Sequence, residues 1–135
     1  MNNPLTALIV SVALCLSGGI AVAADLKLSG ANEVPPVTTA ASGAGTITVA
    51  DDGSVSGSVK VAGVAATMAH IHVGAAGKNG PVIVTLVQTA SGEWSVPAGA
   101  KLNAEQMKSY KAGELYVNVH SEANKGGEIR APIIP

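Results

Sequence analysis

The sequence predicts an all-β domain, an antiparallel β-sandwich of Greek-key type with one short helix, and three observations predict it. About seven short segments alternate polar and apolar residues at regular spacing, the period-2 signature of strands half buried in a sheet. Glycine and proline, 16 and seven residues of 135, punctuate those segments and argue against a helix bundle. A single stretch near its C-terminal third carries both start and stop signals of a helix. A 47% hydrophobic content excludes global disorder. The net charge of −1, from eight Lys+Arg against nine Asp+Glu, supplies no field for nucleic acid or anionic lipid.

In chain order, the first 24 residues stand apart from this domain and read as a signal peptide, leaving 25–135 as the folded unit. No charged side chain precedes Asp25. Leu5 to Leu16 is an apolar run of signal-peptide length, Ser17-Gly18-Gly19 breaks it, and Ala21-Val22-Ala23 is an A-x-A cleavage pattern. Cleavage after Ala23 and after Ala24 fit equally, and the competing reading is an uncleaved anchor helix, against which the Gly pair and the small-residue exit count. The start Met1-Asn2-Asn3-Pro4 lacks the usual Lys or Arg. Leu14 before Cys15 does not suit lipidation. Cys15 is the only cysteine, so the mature chain has no thiol and folds on its core alone.

Strands are expected over Asp25–Gly30, Gly45–Val49 and Ser54–Val61, with Asp51-Asp52-Gly53 as the tight turn of a hairpin. Ala69–Val73 follows. Pro81–Val87 is a nearly continuous apolar run that reads as a strand buried on both faces. Between these two, the glycine-rich Gly74–Gly80 lacks the spacing and hydroxyl of a phosphate loop and leads into a strand; it reads as a surface turn, with Lys78 available to steer an anion. Asn103 and Gln106 form a capping-box pair, Leu102 and Met107 a hydrophobic staple, and Gly113 ends the helix Ala104–Lys111. Glu114–His120 and Glu128–Ile134 complete the strands.

All three histidines, His70, His72 and His120, fall on these strands. Residues i and i+2 of a strand share a face. Ala69, Ile71 and Val73 therefore take the core side, and Met68, His70 and His72 the other. On the later strand Leu115, Val117 and Val119 are core, and Tyr116, Asn118 and His120 lie opposite. His70 and His72 project in parallel from points about 6.6 Å apart, a spacing from which two imidazoles converge on one metal. A third from a neighbouring strand would complete a three-histidine site, suiting copper first and zinc second. Met68 would add a soft thioether suited to Cu(I), and Asn118 would hold the His120 ring by a hydrogen bond. On residue types alone, an unliganded, solvent-facing His-x-His pair stands as the alternative.

Three ordered motifs resemble a known family. Leu28-Ser29-Gly30-Ala31-Asn32-Glu33-Val34-Pro35-Pro36 resembles the opening of the CHRD domain, a module named after chordin and frequent in bacterial secreted proteins. Ala69-His70-Ile71-His72-Val73-Gly74-Ala75-Ala76-Gly77 with Asn79-Gly80-Pro81 resembles its central motif. Gly113-Glu114-Leu115-Tyr116-Val117-Asn118-Val119-His120-Ser121 with Gly126-Gly127-Glu128-Ile129-Arg130 resembles its closing one, Ala131 standing where the family usually has Gly. The resemblance implies a secreted or periplasmic setting. The His70-Ile71-His72 strand is also similar, more weakly, to the copper-holding strand of Cu,Zn superoxide dismutases, whose sandwich resembles immunoglobulin domains. That similarity implies His70, His72 and His120 as copper ligands, without a fourth histidine, a zinc loop or a disulfide.

Around them, Glu128 and Arg130 share a face of the last strand as an expected ion pair, Glu33 is a second partner for Arg130, and Tyr116 is expected to pack. Three functions follow: a periplasmic or secreted copper-binding protein that buffers, carries or redox-cycles the metal, an envelope or extracellular protein-interaction module, or a dismutase-like enzyme with an open copper position. A binding protein is favoured over an enzyme, with a metal ion and an envelope protein as partners, no nucleic acid, and no membrane once the leader is cleaved.

Overall fold

The computed structural model describes residues 21–135, so the leader expected over 1–24 lies mostly outside the described residues. Nine strands and one α-helix follow in order: β1 (Val22–Ser29), a 3-10 turn (Gly30–Asn32), β2 (Ser42–Val49), β3 (Val55–Ala62), β4 (Ala66–Val73), β5 (Val82–Thr85), β6 (Val87–Ala90), β7 (Glu93–Ser95), α1 (Ala104–Lys111), β8 (Leu115–Ser121) and β9 (Ile129–Ile133). All pairings are antiparallel, and the sheet runs β5-β4-β8-β9-β1-β2-β3-β7-β6. The all-β, antiparallel, one-helix reading therefore holds.

The two outermost strands of that order are consecutive in the chain. Leu86 alone separates β5 from β6, and its backbone N–H donates to Ala69 O at 2.9 Å. The chain thus steps from one edge of the sheet to the other within one residue, which curls the sheet into a nearly closed barrel. Hydrogen bonding delineates one continuous sheet where the sequence led us to expect two facing ones. The same step corrects the reading of Pro81–Val87 as a doubly buried strand. Val84 and Leu86 turn inward, while Val82 and Val87 are 47% and 46% exposed, because the segment is an edge and a corner.

Local chemistry sets the other elements. Ala50 N–H donates to Ser54 O across the Asp51-Asp52-Gly53 turn, and β2 and β3 then pair from Val49↔Val55 to Ser42↔Ala62. At α1 the capping box is complete: Gln106 N–H donates to Asn103 Oδ1 at 2.8 Å and Asn103 N–H to Gln106 Oε1 at 2.9 Å. Leu102 is buried and Met107 packs on the core, as a staple requires.

The inner face closes on aliphatic side chains. Ile47, Val59, Ala69, Ile71, Val117, Val119 and Ile129 are all at most 1% exposed, each large one contributing roughly 1.5–3 kcal/mol by leaving water. On β8 the outer face is buried as well: Tyr116, Asn118 and His120 join Leu115, Val117 and Val119 below 9% exposure. Loops and the side chains they hold cover them, among them Arg130 over Tyr116, rather than a second sheet. The 74–80 loop, the turn after β1 and the 122–127 loop meet over β4, β8 and β9. Asn79 Nδ2 donates to Val34 O at 2.9 Å and Asn32 Nδ2 to Arg130 O at 3.1 Å, tying these segments together.

Candidate metal centre

The β4–β8 register builds the centre. It opposes Met68 to His120, His70 to Asn118 and His72 to Tyr116. All six side chains stand on the outer face, and right-handed twist brings diagonal neighbours within reach. His70 Nδ1 lies 2.9 Å from His120 Nε2, and His72 Nε2 lies 2.9 Å from Asn118 Oδ1. One ring nitrogen from each histidine falls within 4.8 Å of the others. His72 and His120 are buried, at 7% and 6% exposure, and His70 is half-buried.

Backbone carbonyls fix the protons. His120 Nδ1–H donates to Lys125 O at 2.8 Å, and His72 Nδ1–H donates to Gly80 O at 2.9 Å. A neutral imidazole has one N–H, so both rings aim the lone pair of Nε2 at the centre. All three pKa values fall below the usual 6.5, and burial is the largest cause in each. Neighbouring histidines depress His70 further. Arg130 depresses His72 and His120, while the carbonyl contacts oppose the fall. Neutral imidazole is the form that binds metal.

At His72 this leaves an imbalance. With its proton given to Gly80, the Nε2 lone pair faces the Oδ1 lone pairs of Asn118. The amide is held that way round because its nitrogen faces the Glu33 carboxylate and favours its ionised form. That approach falls short of hydrogen-bond geometry, and Glu33 Oε1 has no hydrogen-bond partner. Its other oxygen binds Arg130, at 3.0 Å from Nε and 2.9 Å from Nη2. Burial raises the Glu33 carboxyl, with Arg130 the main opposing influence.

Arg130 also lies over the Tyr116 ring, 3.9 Å from its centroid, and Tyr116 stacks on His72 with centroids 4.7 Å apart and planes 4° from parallel. Glu33, Arg130, Tyr116 and His72 therefore form one packed column under the centre. Gly127, at φ +130°, is required beside it: a Cβ there would sit 2.5 Å from Glu33 Oε1 and 2.6 Å from Asn118 Nδ2.

Several expectations need correction. Asn118 lies against His72, its Oδ1 2.9 Å from Nε2, and not against His120, because the register places Asn118 opposite His70 and one pleat from His72. Lys125 O does the work expected of it. Arg130 pairs with Glu33 and not with Glu128, whose Oε1 instead accepts from Thr39 Oγ1 at 2.7 Å. The 74–80 turn is more than surface: Gly80 O orients His72, and Lys78 O accepts from Arg130 Nη1 at 3.1 Å. The histidine face is not fully open to water: His72 and His120 are buried and His70 is half-buried. Met68 stands on this face and is 46% exposed.

The donor set and spacing fit a metal ion. Two nitrogens bound at about 2.05 Å and at right angles lie about 2.9 Å apart, and two opposite ones about 4.1 Å apart. The first separation matches His70 and His120. Where His72 stands opposite one of the other two, the 4.8 Å outer limit asks for less than about 1 Å of closure at such bond lengths. These three histidines can hold a metal ion.

Among the described residues no helix is long and apolar enough to cross a membrane. No curated protein and no solved structure matches the chain. A family model does: the CHRD domain, over residues 25–133. With the match running from the first residue after the expected leader to the end of β9, this chain belongs to the CHRD domain family.

Proposed function

We propose that this protein is exported from the cytoplasm and binds one copper ion through His70, His72 and His120, acting as a copper-binding and copper-handling protein. The observation that carries the reading is the convergence of three neutral imidazoles, two of them oriented by backbone carbonyls, on one point of the β4–β8 face. The donors are nitrogen only, and copper heads the order of divalent affinities for such ligands. Zinc is the weaker candidate on the same donors.

Export rests on the uncharged apolar start and on Ala21-Val22-Ala23. Cleavage after Ala24 shortens β1 to Asp25–Ser29 and retains the pairs from Asp25↔Thr46 to Ser29↔Ser42.

Calorimetric titration of the metal-free mature protein with Cu²⁺ and with Zn²⁺ tests the reading. One Cu²⁺ per chain, bound more tightly than Zn²⁺, is the expected result. Absence of specific binding by either ion overturns it and moves a protein-interaction module to first place.

A further inference from the structure

The outer face of β4 offers one more donor beside the three histidines. Met68 precedes His70 by two residues, so the two side chains leave the strand on one side. In the β4–β8 register Met68 is the residue directly opposite His120. Directly opposed residues of an antiparallel pair hold their Cβ atoms about 4.5–5.5 Å apart. An unbranched side chain with three rotatable bonds reaches across such a gap. Met68 is 46% exposed, so little of it is committed to packing elsewhere.

The charges around the centre point the same way. No carboxylate belongs to the histidine group, and the buried acid beneath it, Glu33, is committed to Arg130 at 2.9 Å. Three neutral nitrogens without an anion stabilise a monovalent ion better, relative to a divalent one, than a carboxylate-bearing site would. A thioether is a soft ligand that selects Cu(I).

We propose that Met68 is the fourth ligand of the copper centre and makes it select Cu(I) over Cu(II). This rests on the copper reading above and adds the oxidation state that the site prefers.

The test is Met68→Leu, which keeps the volume and apolar character of an exposed side chain and removes only the sulfur. An unchanged melting temperature of the metal-free variant confirms that the fold is kept. Cu(I) affinity is read anaerobically by competition with a colorimetric Cu(I) chelator, and Cu(II) affinity by competition with a Cu(II) chelator. We expect Cu(I) binding to weaken by about tenfold or more with Cu(II) binding held within about twofold, lowering the reduction potential by about 59 mV per tenfold difference. Equal Cu(I) affinity in variant and wild type, or equal weakening of both oxidation states, overturns the Met68 assignment and leaves the three-histidine site standing. A wild-type protein that binds neither ion takes down both proposals.

Discussion

Nδ1 of His70 and Nε2 of His120 lie 2.9 Å apart across the β4–β8 boundary, although neither residue is the other's direct partner in the register. The contact is diagonal, and in the metal-free protein the His70 Nδ1–H donates to the His120 lone pair, because the His120 proton is already given to Lys125 O. On the copper reading proposed above, an ion would take the place of that proton, and His70 would carry it on Nε2 instead.

Acid should weaken the metal-free fold through the histidines. Their folded pKa values lie below the usual 6.5, so the unfolded chain takes up protons that the folded one refuses. Their contribution is complete above 6.5 and is lost as the pH falls from there through the folded values. Glu33 acts in the opposite sense: its raised pKa gives a contribution present below 4.5 and lost as the pH rises through its folded value. Denaturant melts in the presence of a chelator should show stability dropping between pH 7.5 and 5.5, conditions chosen to span about 6.5. A flat profile, or equal slopes in wild type and a His72→Gln, His120→Gln double variant, contradicts this.

The Glu33–Arg130 pair should behave as a buried ion pair. Arg130→Met strands the carboxylate and should cost about 3–5 kcal/mol, whereas adding Glu33→Gln should recover much of that loss. A double-mutant cycle by urea denaturation measures the coupling. Additive losses would mean that the two residues act independently despite their contact.

Inner and outer faces of β4 should differ in their tolerance of truncation. Ile71→Ala removes a side chain only 1% exposed and should cost about 2–5 kcal/mol. His70→Ala, half-buried and free of any carbonyl tether, should cost well below that in the metal-free protein. His72→Ala falls between them, since it abandons Gly80 O and the Tyr116 stack. Thermal melts of the three variants in chelator check the order, and a His70 variant as unstable as Ile71→Ala contradicts it.

The exported protein should begin at Ala24 or Asp25, as intact-mass measurement of the secreted or periplasmic fraction would show. Retention of Met1 in a membrane fraction contradicts the leader assignment.

Much of this was legible in the chain because the signals are local. The Asn103–Gln106 box, the Asp51-Asp52-Gly53 turn and the alternation of Ala69–Val73 each depend on residues within a few positions of one another. The inward set of Ile71, Val117 and Val119 and the outward set of three histidines follow from the same period of two. What was hidden depends on long-range register or on backbone atoms. Gly80 O and Lys125 O orient His72 and His120, and a carbonyl carries no residue-type signature. The sequence pattern places Asn118 beside His120 because neighbours along β8 are visible in it, whereas the diagonal across to His72 on β4 is not. Strands β6 and β7, four and three residues long, were not foreseen. They are too short to show alternation, and the exposed Val87–Ala90 buries no apolar stripe.

The central claim is that three histidines on two strands act on one ion, and copper binding by His120→Ala tests it most directly. His120 is the only ligand contributed by β8, and its loss leaves a His-x-His pair on β4. The account predicts one tightly bound Cu²⁺ in the wild type, with a copper-induced rise in melting temperature, and both strongly reduced in His120→Ala. A variant that binds copper as tightly as the wild type, with the same thermal shift, would contradict the three-histidine centre.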